Sequence, residues 1–200
     1  MITRNVQPTK MKKTLFFQLV FTLIASFATS QTTLPVDTET GKVTYSEVVK
    51  VDSSLTKNAL YLNAQRWLTK AFKDANAAIQ FEDKEEGKVI VKGTDEVRFK
   101  QGMQIRDQSG GHFEFTLTIA VKDGRYKYTI ADISHTGDKV VGFPKDGGAI
   151  ELLSPACGKW GMGDKLWVEL KGKYHDHMQS LVESLKSSMA QKAGKDADKW

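Results

Sequence analysis

Cys157, in "SPACGKWG", is the one cysteine of the 200-residue chain. With a histidine beside it, it would make a thiolate nucleophile and a small hydrolase site. His135 and His175 are the available partners, but no sequence spacing ties either to Cys157. A small side chain packed away, or a free thiol without a role, is the plainer reading. His175-Asp176-His177 has the residue types of a metal site, yet positions two apart on a helix point about 200° away from each other. Zinc helices space their histidines four apart, so a solvated helix surface and no metal are expected. Gly158, Gly161 and Gly163 stand just before a predicted helix, with Lys159 and Lys165 among them. Bare backbone N–H groups at a helix start favour anions, so an anionic small molecule or a glycan could bind there. A flexible connection is the alternative. The spacing is not that of the dinucleotide fingerprint or the phosphate loop, and no cofactor is implied. Glu82, Asp83, Glu85 and Glu86 crowd a turn, whereas acid–base catalysis needs a more enclosed setting.

Arg125-Tyr126-Lys127-Tyr128 alternates cations with aromatics, as single-strand nucleic-acid binders do. The flanking sequence explains it otherwise. "HFEFTLTIAVKDGRYKYTIADI" places Asp123-Gly124 between two alternating runs, a strong hairpin signal. Pairing across that turn sets Val121 against Tyr126, Ile119 against Tyr128 and Leu117 against Ile130. Phe113 and Phe115 join the same apolar side. Lys122, Arg125 and Lys127 then point the other way with Thr118 and Thr129. A stacking platform needs aromatics and cations on one exposed surface, so no nucleic-acid partner is expected.

Other elements must hold that hairpin. "VTYSEVVKV" predicts a first strand carrying Val43 and Tyr45, and Asp52, Ser53 and Ser54 have helix-capping side chains. Leu60, Ala64, Trp67, Leu68, Ala71, Phe72 and Ala75 then fall on one helical face. "AIQFEDKEEGKVIVKG" changes to a period of two, with Phe81 expected opposite Val89 and Glu82 opposite Lys88. "TDEVRFKQGMQI" offers a further strand with Val97 and Phe99 on one side, and Ala149–Leu153 a short one. His112 reads as part of a turn after Gly110-Gly111. Asp164 is placed to cap a long helix bearing Trp167, Leu170, Tyr174, Met178, Leu181, Leu185 and Met189. The order is strand, helix, four strands, helix. That predicts an α+β fold in which two helices cover one face of an antiparallel sheet.

Charge and address narrow the function. The formal charge is +5, but "MKKTLFFQLVFTLIASFATSQ" carries the basic, apolar and small-residue regions of a secretory leader. Its apolar run, Leu15–Ala28, is shorter than the roughly 18–20 residues of a spanning helix. Removing Arg4, Lys10, Lys12 and Lys13 with the leader leaves 25 basic residues against 24 acidic ones, a net of +1. No global excess of charge then remains to neutralise phosphates. The expected organisation is a leader over 1–30 (Met1–Lys10 being an upstream extension), an extended arm over 31–42, and one domain over 43–193. That domain includes a glycine-rich segment, 136–163, and a flexible tail follows at 194–200. A periplasmic or secreted protein with no transmembrane span in its mature chain follows.

"LPVDTETGKVTYSEVVKVD", "LYLNAQRWLTKAF", "DKEEGKVIVKG" and "FTLTIAVKDGRYKYTI" together resemble exported bacterial proteins carrying a domain of unknown function with a TATA-binding-protein-like fold. The resemblance covers Leu34 to Ile133 and implies a curved sheet backed by helices. It supplies no catalytic residues to carry over, and a fold name does not bring DNA binding with it. The leading expectation is a non-enzymatic binding or structural domain of the envelope with a protein or polysaccharide partner. It would act through the open sheet face (Lys122, Arg125, Lys127) or the glycine-rich segment. The anionic-ligand and Cys157 readings stand as alternatives.

Overall fold

The computed structural model describes residues 33–99, 108–138 and 146–192. The expected leader and tail lie outside the described residues, as does the whole "KQGMQI" run. Strand β1 (Tyr45–Lys50) leads to helix α1 (Lys57–Ala71) and a single turn, α2 (Ala75–Ala78). Then come β2 (Ile79–Asp83), β3 (Lys88–Phe99), β4 (Gln108–Lys122) and β5 (Arg125–Thr136). A two-residue β6 (Gly148–Ala149), the short α3 (Gly158–Gly161) and the long α4 (Asp164–Met189) complete the domain. The sheet is antiparallel in the order β1-β5-β4-β3-β2, and β6 pairs with β5 on the edge that β1 also uses. The fold is α+β, as expected, with α1 and α4 against one face. Among the described residues no helix is long and apolar enough to cross a membrane.

The core lies between that face and the helices. Val89, Val91, Leu117, Ile119, Val121, Tyr126, Tyr128 and Ile130 come from the sheet, with Leu60, Ala64, Trp67, Trp167, Leu170, Tyr174 and Met178 from the helices. Each fully buried large side chain contributes about 1.5–3 kcal/mol. Two buried groups lock the helices in place. Asn63 Nδ2 on α1 donates to the Gln191 carbonyl at 2.7 Å, just beyond α4. Trp167 Nε1 donates to the Leu152 carbonyl at 2.9 Å.

The Asp123-Gly124 hairpin has the expected register, with Val121 opposite Tyr126, Ile119 opposite Tyr128 and Leu117 opposite Ile130. Four local expectations are corrected. Helix α1 is capped by Thr56, whose hydroxyl accepts the Ala59 N–H, because Asp52 turns back to its own Ser54 N–H. Phe72 ends that helix, which leaves Ala71 exposed and puts Ala75 in α2. A bulge between Ile79 and Phe81 shifts the next pairing by one, so that Phe81 faces Ile90 and Asp83 faces Lys88. Phe81 is thereby turned to the outer face and exposed. Val97 and Phe99 do share a side, but as the continuation of β3 and not as a separate strand.

Further along, His112 lies inside β4 and not in a turn. β6 stops at Ala149, and Gly163, not Asp164, precedes α4 as its cap. The arm expected over 31–42, described from residue 33, folds back so that Val36 bridges Val43 over Asp37, whose carboxylate accepts the N–H groups of Glu39 and Thr40. Those bonds hold the Asp37 carboxyl below the usual range.

Candidate functional site

Strand alternation puts every second residue of the sheet on the face away from the helices. At the hairpin end of that outer face, Lys50 stands opposite Arg125, and Arg125 opposite Lys122. Three cations therefore stand abreast across β1, β5 and β4, all exposed. Like charges directly opposite one another destabilise a sheet, so packing does not account for this row. One step inward, Val48 lies opposite Lys127, Lys127 opposite Ala120, and Ala120 opposite Lys88. Among the described residues, no carboxylate lies within ion-pair distance of Lys50, Lys122, Arg125 or Lys127.

Val48, Ala120, Lys122, Arg125, Tyr126 and Lys127 line a hollow of about 400 Å³, and Val48 is 57% exposed. The next row is a ladder of hydroxyls. Ser46 is opposite Thr129 and shares a hydrogen bond with it at 3.1 Å, and Thr129 is opposite Thr118. A second hollow of about 510 Å³ continues along the face, with Lys92 set against Glu114 and Asp132. This face thus offers cations at one end, hydroxyls in the middle and mixed charge beyond. Hydroxyls and cations side by side are suited to an anionic, hydroxyl-bearing partner.

The tyrosine rings are not part of the cationic surface: although Tyr126 lines the hollow, Tyr126 and Tyr128 are buried on the helical side. Burial, with Glu47 accepting its hydroxyl at 3.1 Å, pushes the Tyr128 phenol up to about 12. The Arg-Tyr-Lys-Tyr pattern is a strand with two different faces.

The structure brings Lys122, Arg125 and Lys127 together but places Gly158, Lys159, Gly161, Gly163 and Lys165 elsewhere, on the approach to α4 behind the sheet. Residues 139–145 of the glycine-rich segment lie outside the described residues, and in the described part Ile150 and Met162 are buried. Asp164 already occupies the first turn of α4, where it complements the positive end of the helix. The exposed apolar residues Leu152, Leu153 and Trp160 fall in this stretch, with Trp160 at 96%, and Val168 follows on α4.

Neither His135 nor His175 is free to serve Cys157 as an activating base. His135 is fully engaged: Gly147 N–H donates to Nδ1 at 3.0 Å, and Nε2 donates to the Gly110 carbonyl at 2.6 Å. His175 is held between Tyr45 at 2.9 Å and Gln179 at 2.9 Å. Burial pushes the Cys157 thiol up, away from the reactive thiolate. His177 faces Asp95 instead of sharing a ligand with His175.

Several relevant residues escaped the sequence reading. Lys50 and Lys88 join the cationic end only through strand register, which a single strand does not reveal. Asp95 had a visible signal: in "VIVKGTDEVRF" it occupies an inward position of the alternation otherwise held by Val89, Val91 and Val97.

Residues 45–136 match the model of a family described as a domain of unknown function (DUF4468) with TBP-like fold. Among solved structures, a DUF4468 family protein from Bacteroides ovatus aligns with a TM-score of 0.55 at 17% identity, over 80% of this chain and 93% of that one. A TBP-like protein from Parabacteroides distasonis aligns with a TM-score of 0.53 at 15% identity, over 76% of this chain and 97% of that one. A search of curated proteins finds no match. At such identities the structural likeness establishes the fold alone.

Proposed function

We propose that this chain, whose residues 45–136 form a DUF4468 domain of TBP-like fold, is an exported, non-enzymatic binding module for an anionic polysaccharide of the cell envelope. The observation that carries the reading is the row Lys50, Arg125 and Lys122. Three like charges held abreast on an open face cost the sheet stability that a bound polyanion would return. The neighbouring hydroxyls of Ser46, Thr129 and Thr118 supply partners for sugar oxygens. With the leader removed, the near-neutral chain makes such binding local, so it depends on this face and not on overall charge. The leader pattern ending at Ser30 supports the exported address, and N-terminal sequencing of the mature protein tests it.

The binding test uses polygalacturonate as an acidic polysaccharide. The purified protein is expected to bind it and to release it as salt rises. Arg125→Glu with Lys127→Glu is expected to abolish retention. Lys159→Glu with Lys165→Glu, which changes net charge by the same amount on the other side of the sheet, is expected to retain it. Equal loss in both double variants, or retention by the first, would overturn the assignment to this face.

A further inference from the structure

On the helical side of the sheet, a cleft of about 610 Å³ opens between β3 and α4. Phe72, Phe115 and Leu181 give it apolar walls, and Asp95 and His177 meet in it. Asp95 is out of keeping with its position, as it points toward the core in line with Val89, Val91 and Val97. Its side chain is 18% exposed, and its Oδ2 is buried without a hydrogen-bond partner. Among the described residues the other oxygen, Oδ1, has only His177 Nε2 at 3.7 Å, too far for a hydrogen bond. Tyr174, one turn before His177 on α4, is fully buried, and its hydroxyl also lacks a partner. Burial, and after it the charge of Asp95, raise that phenol above its ordinary range. A carboxylate stripped of water and left without a full partner is costly, and here it stands at an opening.

We propose that this cleft binds a small organic ammonium ion, with the cation on Asp95 and the apolar body against Phe72 and Leu181. An ammonium donates a charge-assisted hydrogen bond to the carboxylate and offsets its charge, whereas a neutral hydroxyl donates only the weaker bond and an anion is repelled. Glu96 and Asp138 at the rim add to the attraction, and Lys73 opposes it. Burial raises the Asp95 carboxyl above its ordinary range, and His177 counters this only in part. A bound cation would reverse that shift. The site is independent of the cationic outer face, since the two lie on opposite sides of the sheet.

Benzylamine is the probe, benzyl alcohol its uncharged counterpart, and amide resonances of residues 94–96 and 174–178 the readout. Saturable shifts are expected with benzylammonium and not with benzyl alcohol. Asp95→Asn, which keeps size and shape, should weaken binding at least about tenfold. Asp95→Leu should abolish binding while leaving the fold as stable as wild type or more so, because an apolar residue suits an inward strand position. Equal shifts with benzyl alcohol, unchanged affinity in Asp95→Asn, or no shift at about 10 mM amine would each overturn the proposal. Marked destabilisation by Asp95→Leu would do so as well, by making Asp95 a structural latch for α4.

Discussion

Replacing Gly93 by alanine tests how the cleft wall is built. A Cβ at this position would stand 2.2 Å from Cζ of Phe115 and 2.5 and 2.7 Å from its ε carbons. Carbon atoms pack comfortably at about 3.5–4.0 Å, so the ring would have to move by more than an ångström. It has little room, because Phe115 is buried and Tyr174 stands over it with ring centroids 6.4 Å apart. Overpacking of this kind costs about 1–3 kcal/mol, and the stiffer unfolded chain gives back about 0.4–1 kcal/mol. The net expectation is a loss of about 1–2 kcal/mol, or roughly 4 °C in the melting midpoint for a domain of this size. Urea unfolding of Gly93→Ala, Phe115→Leu and the double variant provides the measurement. The smaller leucine side chain leaves space for the new methyl, so the double variant should be more stable than the sum of the single losses predicts, by at least about 0.5 kcal/mol. Full wild-type stability in Gly93→Ala, or strict additivity, would refute the account of ring and glycine in contact.

Further predictions concern the buried polar groups. Burial holds the His135 imidazole neutral in the folded state, below its ordinary 6.5. The unfolded chain therefore takes up the proton first, so stability present above pH 6.5 is lost progressively as pH falls below it. The urea midpoint should drop between about pH 7.5 and about pH 5.5, and His135→Gln should flatten that part of the profile. Asn63→Leu removes the bond from α1 to the Gln191 carbonyl. It should cost about 1–2 kcal/mol and speed amide exchange over the last turn of α4, read by hydrogen-exchange NMR.

Much of the architecture could be read because its signals are local. Asp123-Gly124 fixes a two-residue turn, and once the turn is placed the period of two determines every facing pair as far as Leu117 and Ile130. The face of α4 was equally clear, although Val182 is more deeply buried than Leu181 beside it. The misread details turn on choices that depend on distant partners. Thr56 wins the cap because Asp52 is occupied and the Asp123 carboxylate meets the Lys57 N–H at 2.6 Å. The bulge at Ile79–Phe81 has no sequence mark that separates it from regular pairing. The candidate site was half legible: Lys122, Arg125 and Lys127 follow from the hairpin, while Lys50 arrives from β1, far earlier in the chain.

The imidazole of His135 bears on how this protein can vary through descent. A side-chain carbon at Gly111 would sit 2.9 Å from Nε2 of that ring, and one at Gly147 would sit 2.9 Å from Nδ1 and 2.4 Å from the Trp167 ring. The bare backbone at both places lets strand β4 and the segment just before β6 close around one heterocycle. Gly111 is held further by its φ of +86° and by the Thr136 carbonyl oxygen, 2.3 Å from such a carbon, and Gly147 by the Trp167 ring, so both glycines should persist even in relatives that exchange the histidine.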